Sequence, residues 1–241
     1  MRLCSTLLAL VGGFALLHGS DSHPIDLRVS LMMAPETENV DMTYRAGSTG
    51  ISGETDSIDA GLRFQVGLVT RIARMTDTFT LVGGAWFFYS DQETDEVEPG
   101  EREIPGVTGP MEYTNMGVDF YVAVNARLNQ YFEVEFGPFV GIGATSYTDR
   151  GVKAGSPNGR VEESGSGDYE EAGLNLALLI RNASHSMFVS LGLQYLVSHG
   201  EADNAFDTVD EDGNRVVNGL KQHVEIDTRG FAPYLAVGLT F

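Results

Sequence analysis

Apolar and polar residues alternate one by one along most of the chain after residue 24, which is the period of a β-strand with two unlike faces and not the 3.6-residue period of a helix. Ile25, Leu27, Val29 and Leu31 alternate with Asp26, Arg28, Ser30 and Met32. Ile58, Ala60, Leu62, Phe64, Val66 and Leu68 oppose Asp59, Gly61, Arg63, Gln65 and Gly67. A third strand runs over 78–89, a fourth carries Met116 to Ala126 against Asn115 to Arg127, and a fifth sets Phe132, Val134, Phe136 and Val140 against Glu133, Glu135 and Gly137. The sixth alternates from Glu171 to Arg181, the seventh from Met187 to Val197, and the last, beginning near Val224, runs to Phe241. Gly83-Gly84 is expected to form a bulge, which leaves the direction of Trp86 open. Pro138 and Pro233 each remove a ladder donor from a predicted strand and count against a central place in a sheet unless each sits at a bulge.

The segments between these strands alternate long and short. Residues 35–57, 90–110, 148–168 and 199–222 read as long polar loops, the first of them with a stalk that extends the strand, whereas 71–77, 128–130 and 182–185 read as tight connections. An up-and-down sheet of eight strands puts every long loop at one end and both termini at the other. The rival is a lipocalin-like barrel, with its apolar stripe turned inward around a ligand. The second parity decides against it: the only lysines are Lys153 and Lys221, both in predicted loops, and the polar face is mostly Gly, Ala, Ser, Asn and Gln. A water-exposed wall would carry many more charges. The predicted fold is all-β: an eight-stranded antiparallel up-and-down transmembrane barrel with its apolar face toward lipid, over residues 23–241, with four long extracellular loops.

The final eleven residues place Phe231, Leu235, Val237, Leu239 and Phe241 on one parity and Tyr234 on the other. This segment resembles the closing strand of bacterial outer-membrane barrels. That resemblance implies an assembly signal made by Phe231, Tyr234, Leu235, Val237, Leu239 and Phe241, with the barrel-assembly machinery as a partner during biogenesis. The whole pattern resembles the small outer-membrane barrels of Gram-negative bacteria, the OmpA transmembrane domain and OmpX. It implies location in the outer membrane among lipids and lipopolysaccharide, periplasmic termini and a monomer. The chain stops at Phe241, so the peptidoglycan-binding domain of OmpA proteins is expected to be missing. Tyr89, Tyr113, Tyr131, Phe132, Tyr147, Tyr169, Tyr195 and Phe241, near strand ends, suit two interfacial girdles.

Residues 1–22 have Arg2, an apolar run from Leu7 to Leu17 and small polar residues after it, the composition of a cleavable signal peptide. Cys4, the only cysteine, precedes that run, so neither a lipid anchor nor a disulfide is expected. The chain of 241 residues carries a net charge of −19, and Glu93 to Glu103 is its most acidic stretch. No basic patch suggests nucleic acid. Asp210-Glu-Asp-Gly-Asn214 looks like part of a calcium loop, but with Gly213 at the sixth position Gly219 stands where a bidentate acid belongs. Diffuse divalent cations at the acidic loops are expected instead, and neither a bound metal nor a cofactor.

Ser198-His199, near Glu171 and Glu201, is the one grouping that resembles catalytic chemistry, and it fits neither of the two lipid A-modifying barrel enzymes; His185 lies at the opposite end. No catalytic residue is assigned. The interior is expected to hold a polar network of Arg28, Asp59, Arg63, Asp119, Arg127, Glu133, Glu135, Glu171 and Arg181, with Arg63 meeting Asp119 or another upper acid and Arg28 or Arg127 meeting Glu133 or Glu135. The expected function is structural or surface-interacting, without an open large pore. The alternative is a small-solute channel, and a lipid A-modifying enzyme comes behind both.

Overall fold

The computed structural model describes residues 24–35, 37–46, 49–55, 60–93, 111–149, 163–209 and 215–241. The expected leader over 1–22, Asp59, residues 94–110 and the Asp210 to Asn214 segment lie outside them. The described chain forms β1 (Ile25–Met33), β2 (Thr37–Ala46), β3 (Thr49–Thr55), β4 (Leu62–Arg74), β5 (Phe79–Glu93), β6 (Met111–Arg127), β7 (Phe132–Asp149), β8 (Glu163–Arg181), β9 (Met187–Val209) and β10 (Arg215–Thr240). Eight of these pair in the order β1-β4-β5-β6-β7-β8-β9-β10, and β1 pairs with β10 to close the ring. All pairings are antiparallel.

The remaining two segments continue the first hairpin. Met33 faces Leu62 across β1 and β4, and Val40 faces Thr55, seven residues further along on each side, across β2 and β3. The two ladders therefore keep one register on either side of residues 34–39 and 56–61. β2 also pairs with the upper half of β10, from Thr37 opposite Thr228 to Arg45 opposite Lys221.

The tight connections 75–78, 128–131 and 182–186 share one end with the termini, where Ile25 and Phe241 exchange backbone hydrogen bonds at 3.2 and 3.0 Å. The longer connections share the other end. Three predicted loops prove shorter than expected, because strands run on through polar sequence: β5 to Glu93, β7 to Asp149 and, most clearly, β9 and β10 through much of 199–222. Beyond the apolar belt the outward face of a strand carries polar residues where the belt carries apolar ones, while inward residues such as Ala202, Val224 and Ile226 stay buried, so the ladder continues through sequence that reads as polar.

The glycine and proline expectations are corrected. Gly83 and Gly84 lie in an unbroken ladder with β6, and the irregularity falls instead between Arg71 and Ala73 of β4. Trp86 consequently points inward. Gly84 is required by crowding, since a Cβ there would overlap the Leu68 carbonyl oxygen of the adjacent strand. Pro138 pairs with Leu174, and the ladder to β6 omits Gly137 and Pro138 before resuming in the same register. Pro233 pairs with Leu193 on one side and stands on the other just past the end of the β1 ladder, which stops at Tyr234. Each proline thus sits where its missing N–H breaks at most a local rung, and neither needs a bulge.

Candidate functional site

The barrel is inside out relative to a soluble protein. Its outer wall exposes Leu31, Leu68, Phe87, Val122, Phe136, Val140, Leu176, Leu191, Leu235 and Val237, a continuous apolar belt. Its buried side chains include Arg28, Arg63, Gln65, Asn115, Asp119, Glu135, Glu171, Asn175, Arg181 and Gln194. An apolar belt of this extent around a closed ring is the surface a membrane barrel turns to hydrocarbon. Among the described residues the lumen is therefore where charges are concentrated within the belt, and alternation places them there: Arg28, Arg63, Asp119, Glu135, Glu171 and Arg181 all stand on the inward parity of their strands.

Two clusters fill it. In the lower one, nearer the termini, Arg28 Nη1 and Nη2 donate to the two oxygens of Glu135 at 2.6 and 2.9 Å. Arg28 stands on β1 and Glu135 on β7, four places apart in the ring of eight, so the pair spans a diameter. Asp26 ties Arg28 to Arg181, at 3.3 and 3.1 Å, and Arg181 reaches Glu133 at 2.9 Å. Tyr121 donates to Glu135 at 2.7 Å, Asn125 donates to Glu133 at 3.2 Å, and Thr240 donates to Asp26 at 2.7 Å. The Arg28 guanidinium also packs 5.8 Å from the Trp86 ring centre and 5.3 Å from that of Phe188.

The upper cluster repeats the arrangement. Arg63 on β4 donates Nη1 to Glu171 on β8 at 2.6 Å and Nη2 to the other oxygen of the same carboxylate, again across four strands of the ring. Its Nη2 also reaches Asp119 at 2.9 Å, where Gln65 adds a bond at 3.2 Å. Tyr169 donates to Glu171 at 2.7 Å, and the Phe88 ring lies 4.1 Å from the guanidinium carbon. Burying an ion is costly unless its hydrogen bonds are met. Fork-to-fork pairing with a carboxylate satisfies both Nη groups of Arg28 and Arg63, and an aromatic ring lies beside each guanidinium, while the two buried Nε atoms have no hydrogen-bond partner.

Of the residues expected in the network, Arg28, Arg63, Asp119, Glu133, Glu135, Glu171 and Arg181 come together in these clusters. Arg127 stays at the rim, half exposed and 3.8 Å from Glu133. The sequence reading omitted Asp26, although it shares the inward parity of Arg28 and joins two arginines. It also omitted the tyrosines: Tyr113, Tyr147 and Tyr169, expected in interfacial girdles, are buried in the lumen, and the Tyr147 hydroxyl donates to Gln222 at 2.6 Å. Their parity, shared with Asn115, Thr145 and Glu171, was the available signal. Tyr89, Tyr131, Phe132 and Phe241 do face outward, as do Phe231, Leu235, Val237 and Leu239 of the expected assembly signal, whereas Tyr234 is buried.

The sheet also separates the grouping around Ser198. Ser198 and Glu171 are buried in the lumen, while His199 and Glu201 lie on the outer face. The approach of Glu171 to His199 expected from sequence is thus corrected, because adjacent residues of a strand point to opposite faces.

No family model matches this chain, and no curated protein matches it. Among solved structures, the outer membrane protein OprG of Pseudomonas aeruginosa is similar at 12% identity over 92% of this chain and 98% of that one, with a TM-score of 0.42. Neisserial surface protein A is similar at 8% identity over 90% of this chain and 97% of that one, with a TM-score of 0.38. The attachment invasion locus protein Ail of Yersinia pestis, in complex with the heparin analogue sucrose octasulfate, is similar at 9% identity over 92% of this chain and all of that one, with a TM-score of 0.33. The chain is an all-β, antiparallel up-and-down barrel, closed by the pairing of β1 with β10.

Proposed function

We propose that this protein is an integral outer-membrane barrel whose role is structural or surface-interacting, with a lumen closed to solutes. The observation that carries the reading is that Arg28–Glu135 and Arg63–Glu171 each bridge strands on opposite sides of the ring. A bidentate ion pair across the diameter, at two heights, leaves no continuous water path through an eight-strand barrel, whose interior is just wide enough for side chains. Lipids and lipopolysaccharide contact the apolar belt, the barrel-assembly machinery receives the chain through its final strand, and the protein acts as a monomer without a cofactor or catalytic residue. On this reading residues 1–22 are a signal peptide, the termini are periplasmic, and four acidic loops face outward, where they attract divalent cations diffusely.

Heat-modifiable migration in detergent gels tests the membrane barrel, and single-channel recording in planar bilayers tests the closed lumen. The expected record for the parent is a quiet baseline. Large, steady conductance in the parent would overturn the closed-lumen reading in favour of a solute channel.

A further inference from the structure

Beyond the apolar belt, β9 and β10 continue side by side, and the outer face of this ribbon carries one motif twice. It reads His199-Gly-Glu201-Ala-Asp203 on β9 and His223-Val-Glu225-Ile-Asp227 on β10. Residues at every second position share a face of a strand, so all six acid and histidine side chains lie together. The antiparallel register sets His199 opposite Asp227, Glu201 opposite Glu225 and Asp203 opposite His223. The six therefore form a patch with approximate two-fold symmetry.

Each imidazole sits between two carboxylates. His199 Nδ1 is 2.8 Å from Asp227 and Nε2 is 3.2 Å from Glu201. His223 Nδ1 is 2.8 Å from Asp203 and Nε2 is 3.0 Å from Glu225. A neutral imidazole has one N–H and one lone pair, so it can serve only one of its two carboxylates and turns a lone pair on the other. Only the imidazolium satisfies both contacts. In each motif one of these contacts runs within a strand and the other runs across to the neighbour, so protonation links β9 to β10 twice.

We propose that this paired patch is a pH-operated clasp: protonated, its two histidines staple β9 to β10 outside the barrel, and their deprotonation loosens the ribbon while the belt stays folded.

The surroundings make the released state unfavourable. From β8, Glu170 stands opposite His199, with Asp168 also exposed nearby; from β2, Asp41 stands opposite Glu225 and Thr43 opposite His223. Among the described side chains of β10 the exposed cations are Lys221, whose register partner is Arg45, and Arg229, each beyond one end of the motif. Without its imidazoliums the patch keeps four carboxylates, with Glu201 facing Glu225 directly and Asp41 next in the row. Like charges opposite each other on a sheet are destabilising.

The sign of the dependence follows from the same contacts. The hydrogen bond to Asp227, then that to Glu201, raises the His199 pKa above its ordinary 6.5, and the bonds to Asp203 and Glu225 raise that of His223. A group whose pKa is raised by folding stabilises fully below its unfolded value and loses that contribution as pH rises through the folded value. The clasp is therefore closed at about pH 6.5 and below, down to the titration of the carboxylates near pH 4, and opens on the alkaline side of 6.5.

Amide hydrogen exchange on the full chain folded in lipid nanodiscs tests this, with each rate divided by its intrinsic rate at that pH. Protection over 199–205 and 221–227 should fall about tenfold between pH 5.5 and 8.5, while protection over 188–196 stays constant. In the double variant His199→Gln, His223→Gln the outer ribbon should show no such change, and in the parent both imidazole resonances should titrate above 6.5. Constant protection of the parent ribbon, titration at or below 6.5, or an unchanged pH response in the double variant would each overturn the proposal. Because the readout needs neither conductance nor a ligand, it is independent of whether the lumen is closed.

Discussion

Removing the Arg63 side chain should destabilise the barrel more than any surface change. Arg63 is only 2% exposed and, among the described residues, is the cation paired with both Asp119 and Glu171, which are equally buried. Arg63→Ala leaves both acids facing each other with Gln65 and Tyr169 as their remaining donors. Breaking a buried pair by removing one partner costs about 3–5 kcal/mol, and water entering the vacated space reduces that figure. Trp86, the only tryptophan, is buried in the lumen beside Arg28, so its fluorescence reports unfolding from within. Urea titration in lipid vesicles, with Arg74→Ala as the exposed control, measures the difference. Restoring balance in Arg63→Met, Asp119→Asn, Glu171→Gln should recover much of the loss. If Arg63→Ala unfolds at the same urea concentration as Arg74→Ala, the upper cluster does not stabilise the barrel.

Three further outcomes follow from the same geometry. Val122→Arg or Leu176→Arg places a cation on the outer wall, where each parent residue is 48% exposed, and should cost about 2–4 kcal/mol of folding in lipid near the midplane; an unaltered folding yield in vesicles would reverse the assignment of faces. Gly84→Ala forces a methyl into the Leu68 carbonyl and should destabilise by about 1–3 kcal/mol in the same titration, whereas Gly12→Ala, in the expected leader, should change nothing measurable in the folded protein. Replacing Glu93 to Glu103 by a short Gly/Ser linker should leave heat-modifiable migration intact, because loop closure depends only weakly on length; trypsin cutting intact cells only at Arg74 or Arg127 would place the short turns outside and invert the proposed topology.

The strands within the belt were legible because each separates two unlike environments. Single alternation then appears directly in the sequence, as in Leu27 and Val29 against Arg28 and Ser30, or Val134 and Phe136 against Glu133 and Glu135. From strand direction and parity alone, Arg28 and Glu135 could be placed at one level and Arg63, Asp119 and Glu171 at another. The diametric pairing was not readable, since it depends on where β1, β4, β7 and β8 stand in the closed ring. The outer extension of β9 was missed for the opposite reason: from His199 to Asp203 the outward face meets water, so charged sequence looked like loop, whereas Val224 to Asp227 already fell in the expected last strand. The lumen tyrosines were misread because an aromatic near a strand end suits lipid as well as a polar interior, and only parity separates the two.

The proposed closure of the lumen and the acidity of the chain are two sides of one distribution of charge. The lumen and its rim hold the arginines Arg28, Arg63, Arg127 and Arg181 against Asp26, Asp119, Glu133, Glu135 and Glu171, which nearly cancel. Almost none of the net charge of −19 therefore resides in the lumen. Near-neutrality inside is what a narrow, dry interior requires, because an uncompensated ion there has no solvent to screen it. The surplus carboxylates are carried by the outer ends of the strands and the loops beyond them, where water and salt screen like charges to within about 10 Å. Lowering ionic strength lengthens that range, so it should weaken the outer ribbon of the parent and leave the belt unaffected. Hydrogen exchange at fixed pH in low and high salt distinguishes the two regions, and a belt that loosened together with the ribbon would show that the charges of the extensions reach into the barrel.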